Sequence, residues 1–180
     1  MSQLTIFHAS NSHRVIFQSS NQQEISSQLA HIGIRFEQWQ AHAKVSAEDS
    51  EEHILSMYAE DIHRLKEQGG YQAVDVISLD SAHPDKVLLR QKFLSEHTYS
   101  EDEVRFFVKG KGLFCLHIDD KVYQVLCEQN DLISVPDHVA HWFDMGSEPE
   151  FTAIRLFNNT EGWVAEPTGS NIAKRFPLLD

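Results

Sequence analysis

The sequence predicts an α+β fold, mainly β, with helices packed against the outside of a small barrel or sandwich. Three observations predict it. Helical periodicity concentrates in the first half of the 180 residues, β alternation fills the second half, and no repeat, linker or single-sign block separates them. Residues 3–8 and 13–17 read as short strands. Ser20 and Asn21 can cap a helix that carries Ile25 and Leu29 and stops at Gly33, after which Ile34 to Trp39 alternates as a strand. The clearest helix begins near Ser50 and sets Ile54, Leu55, Tyr58, Ile62 and Leu65 on one stripe; it ends at Gly69-Gly70, where glycine takes the left-handed conformation of a C-terminal cap. Tyr71 to Leu79 reads as a strand, and Pro84 suits the first turn of a helix running to about Lys92. From Phe93 onward the pattern changes to short alternating runs at 94–99, 103–108, 112–118, 121–127, 131–135, 140–145 and 151–157. Asp119-Asp120 and Gly110-Lys111-Gly112 are the expected tight turns. A single domain is expected, in which residues 1–92 supply N-terminal helices and strands, 93–164 the barrel core, and 165–180 a C-terminal loop and short helix.

Hydrophobic residues make up 41% of the chain and charged residues 23%, enough to bury a core without disulfide or metal staples. Fifteen Lys and Arg face 27 Asp and Glu, a net charge of −12, the wrong sign for gripping a phosphate backbone, so no nucleic-acid partner is expected. No run approaches the ~18 apolar residues that span a bilayer, and the first residues lack a basic, then apolar, leader, so a cytoplasmic chain with no membrane partner is expected. Cys115 and Cys127 sit in apolar β-like runs, which points to free buried thiols in place of a disulfide. Nothing resembles a heptad seam or a large apolar stripe, and a monomer is expected.

Residues two apart on a strand share a face. His97 thereby shares a face with Tyr99, Glu103 with Arg105 and Phe107, His141 with Phe143, and Arg155 with Phe151, Ala153 and Phe157. A face mixing Arg or His with Phe is unexpected for solvent and costly for a sealed core, but natural for a barrel lumen that holds a polar ligand. His97, Glu103 and His141 supply two imidazoles and a carboxylate, a set suited to divalent Fe, Ni, Co or Mn with positions left open for other ligands. With 11 His in the chain, ligand types alone leave ordinary surface histidines as the competing explanation.

His97, Glu103 and Gly110 resemble the first cupin motif, and Asn130, Pro136 and His141 the second. The stretches Phe93–Val108, Asp131–Pro136, His141–Gly146, Ile154–Asn159 and Gly162–Val164 resemble acireductone dioxygenase of the methionine salvage pathway. The resemblance implies a double-stranded β-helix, the jelly-roll-like cupin barrel, and a site of three His and one Glu. Carried over position by position it gives His97, Glu103 and His141, while Tyr99 stands where the remaining His belongs; Asn130 and His138 stand at two motif glycines. Three readings of Tyr99 are open. It ligates as a phenolate; it packs and leaves His97, Glu103 and His141 as a facial triad; or the metal is lost, with His138 as a candidate substitute.

The family likeness further implies an oxidoreductase that incorporates both atoms of O2 into one donor. Its substrate is the enediol 1,2-dihydroxy-3-keto-5-methylthiopentene, and its cofactor one divalent metal per chain, Fe(II) or Ni(II). The Fe form yields 2-keto-4-methylthiobutyrate and formate; the Ni form yields methylthiopropionate, formate and CO. Arg105 and Arg155 would offset enediolate charge, and Phe93, Phe143 and Trp163 would wall the methylthio tail. The competing expectations are a cupin ligand-binding domain with an impaired metal site, and a cupin isomerase that uses the lumen without O2.

Overall fold

The computed structural model describes residues 1–39, 44–46, 48–159 and 164–180. Strands β1 (Gln3–His8) and β2 (Asn11–Ser19) form an antiparallel hairpin, the second strand longer at both ends than its apolar pattern suggested. Asn21 caps α1 (Gln22–Ala30): its side chain accepts from the N–H groups of Gln23 and Glu24, and the helix buries Ile25 and Leu29. β3 (Arg35–Gln38) follows.

The single helix expected from Ser50 is divided into α2 (Glu51–Met57) and α3 (Ala59–Gly69) at Tyr58, whose backbone lies at φ −110° and ψ 18°. The division is a kink, since Tyr58 N–H still reaches Ile54 O at 3.3 Å and Ile62 N–H reaches Tyr58 O at 2.9 Å. It seats the fully buried Tyr58 ring edge-on against Phe106, at 5.4 Å between centroids, while Ile54, Ile62 and Leu65 stay on the buried stripe. Gly70, at φ +68°, closes the helix by donating its N–H to Lys66 O.

Next come β4 (Ala73–Leu79) and α4 (Lys86–Leu94), which starts two residues after Pro84. Because α4 continues through Leu94, only β5 (His97–Thr98) remains of the run expected at 94–99. The expected Gly110-Lys111-Gly112 turn does not form: Glu103 to Ile118 is one 16-residue strand, β6. Its first half pairs with β8 (Asp131–Val135) and β10 (Phe151–Phe157), and its second half with β7 (Lys121–Glu128) and β9 (Ala140–Asp144). Glycine serves here as a bend that lets one strand cross between two sheets. Gly110 takes φ +71°, and a Cβ there would stand 1.8 Å from Glu150 O. The expected turn at Asp119-Asp120 does form, with Asp119 at φ +54° between the paired Ile118 and Lys121.

The shared strand gives two sheets, β11 (Glu166–Pro167)-β5-β9-β6-β7-β1-β2 and β3-β8-β6-β10-β4. Between them lies the main core, with Leu4, Ile6, Phe107, Phe114, Phe143 and Phe151. Helices α2 and α3 cover the outer face of the second sheet through Ile54, Tyr58 and Leu65 against Val104, Phe106 and Leu156. A 3-10 turn, Ile172–Arg175, with Phe176 covers Trp142 and Cys115 on the outer face of the first. This is the α+β, mainly β, cupin architecture, with strands of the N-terminal half extending both sheets. Cys115 and Cys127 are buried free thiols, pushed far above the usual thiol range by burial. No helix among the described residues is long and apolar enough to cross a membrane.

Candidate active site

Three strands deliver three side chains to one end of the lumen. The single residue pair that joins β5 to β9 is His97 with His141, and their rings lie 4.6 Å apart between centroids. Glu103 opens β6, and its Oε2 lies 2.6 Å from His141 Nε2. Each imidazole is held from behind by a backbone carbonyl: His97 Nδ1 reaches Ser95 O at 2.6 Å and His141 Nδ1 reaches Val139 O at 2.8 Å. A proton donated from Nδ1 to a carbonyl leaves Nε2 as the nitrogen available to a ligand, the orientation that metal-binding histidines use.

Arg105 lies two residues along the same face from Glu103, and only 1% of it is exposed. Its Nε lies 2.8 Å from Glu103 Oε1 in a buried ion pair, and its guanidinium stacks over Phe143 at 4.9 Å, Phe114 at 5.4 Å and Phe93 at 5.9 Å. Burial alone would raise the Glu103 carboxyl, but the charges of Arg105 and His141 with the His141 hydrogen bond outweigh it and hold the group down at about 2. His97 is also shifted downward from a free imidazole, first by burial and then by its neighbour His141.

Tyr99 stands edge-on to His97, with centroids 5.1 Å apart, and tilted against His141 at 5.5 Å. With no metal cation beside it, burial and the Glu103 charge push its phenol up to about 12. Its carbonyl accepts the N–H of His138 at 2.8 Å, and His138 takes φ +63° at the position where the motif has glycine. The His138 ring itself is exposed and lies 2.9 Å from Asp137 Oδ2, which turns it away from the centre.

Arg155 sits opposite Arg105 in the β10–β6 register, on the lumen face that parity assigned to it. Asp75, directly opposite on β4, takes its guanidinium bidentately at 2.8 and 2.6 Å. Phe93 meets Phe143 edge-on at 6.3 Å beside the Arg105 cation, and Phe143 in turn packs on Phe114 and Phe151. Trp163 lies outside the described residues. Sequence reasoning missed Asp75 and Glu96. Asp75 was visible as a lone acid inside an apolar β-run, yet its partner lies 80 positions away and only the β4–β10 pairing reveals it.

The donor set can be tested against a metal from its own chemistry. Two imidazoles with their Nδ1 protons fixed on carbonyls and a carboxylate kept ionised by a buried Arg fit a divalent cation in kind. Among the described residues no three His, Cys, Asp or Glu side chains are gathered closely enough to enclose an ion as they stand; His141 Nε2 is closed onto Glu103.

Residues 3–165 match the ARD/ARD' family. An acireductone dioxygenase of Pseudomonas paraeruginosa is 56% identical over the whole of this chain and 99% of its own length. That of Yersinia pestis is 54% identical over 99% of each chain. Among solved structures, the acireductone dioxygenase from Bacillus anthracis, with a cadmium ion in its active centre, superimposes with a TM-score of 0.79 at 32% identity, covering 92% of this chain and 98% of the other. A likeness that spans the whole chain at this level, on a fold whose lumen gathers the residues just described, identifies the lineage: the chain belongs to the ARD/ARD' family of acireductone dioxygenases.

Proposed function

We propose that this dioxygenase holds one divalent metal, Fe(II) or Ni(II), on His97, Glu103 and His141, with Tyr99 beside it as a neutral packing and hydrogen-bonding residue. The reaction is O2-dependent C–C cleavage of 1,2-dihydroxy-3-keto-5-methylthiopentene in methionine salvage. The iron form gives 2-keto-4-methylthiobutyrate and formate, and the nickel form methylthiopropionate, formate and CO. The observation that carries the reading is the His97–Glu103–His141 constellation with a buried Arg105 behind it. It is supported by the cadmium in the active centre of the Bacillus anthracis relative.

When bound, the metal supplies Lewis-acid chelation of the enediol oxygens and a place to bring O2 against them. The chain does the rest. Backbone carbonyls at Ser95 and Val139 hold the two imidazoles in the tautomer that presents Nε2. Arg105 keeps Glu103 ionised and brings positive charge to the lumen, where an enediolate needs it in a chain of net charge −12. Arg155 supplies a second guanidinium, tempered by Asp75, on the same face. Phe93 and Phe143 make an apolar wall for the methylthio tail and keep water from the charged oxygens, with Trp163 assigned there by the family pattern.

The test is metal content by elemental mass spectrometry on protein purified without chelator, followed by O2 uptake on the enediol substrate. Near one Fe or Ni per chain with turnover is the expected result. Absence of metal after reloading with either ion would overturn the reading and leave a cupin that binds a ligand without oxidising it. Tyr99→His then separates two roles for the tyrosine. A bystander phenol predicts tighter metal retention in the variant, about tenfold or more, from the added imidazole. A fall in retention instead would identify Tyr99 as a ligand in its own right.

A further inference from the structure

The residue just before His97 is an acid buried on the other side of its strand. Glu96 is 4% exposed, and adjacent residues of an extended segment project to opposite sides, so its carboxylate points away from the lumen that His97 faces. It is nevertheless fully engaged. His117 Nδ1, on β6, lies 2.8 Å from Oε2, and Thr168 Oγ1 donates to Oε1 at 2.7 Å. The backbone joins in, Thr168 N–H donating to Glu96 O at 3.1 Å. Thr168 directly follows β11, whose two residues pair Glu166 with Thr98 and Pro167 with His97.

β5 is held weakly by its own ladder. It has two residues, one pair with β9 and two with β11. A strand this short fixes neither its height nor its tilt, and a carboxylate removed from water is costly to keep unless its hydrogen bonds are all made. Here they are made to two elements that are not paired with one another, the long strand β6 and the segment after β11. His117 lies opposite Ala140 of β9, one residue from the Leu116–His141 pair, so the clamp is anchored beside the second imidazole as well.

We infer that Glu96 is a positioning residue: with His117 and Thr168 it clamps β5 and the 166–168 segment to the barrel wall and thereby fixes the His97 donor from behind. The inference rests on the proposed metal role of His97 for its functional meaning, though not for its geometry. In it, Thr168 transmits the placement of the C-terminal segment to the site, and displacement of that segment loosens His97.

The experiment uses the full chain with Co(II) as the probe, in the parent, Glu96→Ala, Glu96→Gln and Thr168→Val. Three quantities are read: the Co(II) release rate on chelator challenge, the Co(II) d–d absorption band, and, in metal-free protein, amide exchange at His97 and Thr168 with the His97 ring resonances. Glu96→Ala is expected to release Co(II) about tenfold faster or more, to alter the band, and to lose protection at both amides. Thr168→Val is expected to give a smaller change of the same kind, and Glu96→Gln, which keeps an acceptor for Thr168, to recover some of the loss in retention. Faster thermal unfolding of Glu96→Ala with the release rate, band and ring resonances unchanged would reduce the clamp to a structural staple and overturn the inference. If the parent takes up no Co(II), the metal reading fails by itself; unchanged His97 resonances and amide exchange in metal-free Glu96→Ala would then overturn the clamp, and altered ones would support it.

Discussion

Arg105 decides the state of the lumen. It is a cation almost wholly removed from water, and it is tolerated because Glu103 and three aromatic faces surround it. Removing one partner of such a pair leaves the other as an uncompensated buried charge. Arg105→Met is therefore expected to cost about 3–5 kcal/mol in urea unfolding, although methionine fits the volume and the aromatic surroundings. Arg105→Lys keeps the charge but not the planar stacking and is expected to recover only a fraction of that loss. At this scale the sequence was informative: His97, Glu103, Arg105 and His141 were each visible as polar residues on an otherwise apolar strand face. What alternation does not contain is the distance across the lumen. That Glu103 reaches His141 at 2.6 Å, while Arg155 is taken by Asp75, follows from which strands lie side by side.

Among the elements, β6 has the most consequence, because it belongs to both sheets and carries Glu103 and Arg105 at one end. Its crossing depends on Gly110. A side chain there meets a left-handed backbone, at φ +71°, and the carbonyl of Glu150, which is backbone and has no rotamer to swing aside. Gly110→Ala is expected to destabilise the fold by about 3 kcal/mol or more, read as a lowered urea midpoint, and to disturb the β6–β10 pairing at Phe151 first. Gly33, also at positive φ but with nothing near the position of a Cβ, should lose only the smaller left-handed cost of about 1–2 kcal/mol on the same substitution. Sequence punctuation read Gly110-Lys111-Gly112 as a chain reversal because glycine pairs usually mark one. The glycine signal was real; whether it means a turn or a bend is set by the partners waiting on either side.

Across the whole molecule, the two chain ends are tied down by buried acids. Asp131 has no exposed surface, and it accepts from Ser2 Oγ at 2.5 Å, from Glu128 N–H at 2.8 Å and from Gln38 Nε2 at 3.4 Å. Burial nevertheless raises it from 3.8 to about 6. The folded state therefore holds this proton more tightly than the unfolded chain. The resulting stability is fully present below about pH 3.8 and is lost as pH rises through about 6. Asp131→Asn, which cannot ionise, is expected to remove that slope, gaining about 1–3 kcal/mol on the parent between pH 4 and pH 6, with the difference level above it. Urea unfolding at half-unit pH steps reads it; a parent curve of the same slope as the variant's would contradict the account. At the other end, Arg90 joins Asp144 of β9 to Asp180, while the Leu179 N–H donates to Asp144 Oδ2, holding the last residues over the first sheet.

The sequence by itself determined the class of the fold, the helix caps at Asn21 and Gly70, the alternation that marks a lined barrel, and the polar residue types that line it. These are local properties, written in spacing and in the chemistry of single side chains. Only the tertiary structure decided that one strand serves two sheets, that Asp75 claims Arg155, that His138 faces outward, and that Glu96 grips β5 from behind. Each of these depends on segments far apart in the chain meeting at a particular register, and strand pairing carries no signature in the order of residues until the sheets are assembled.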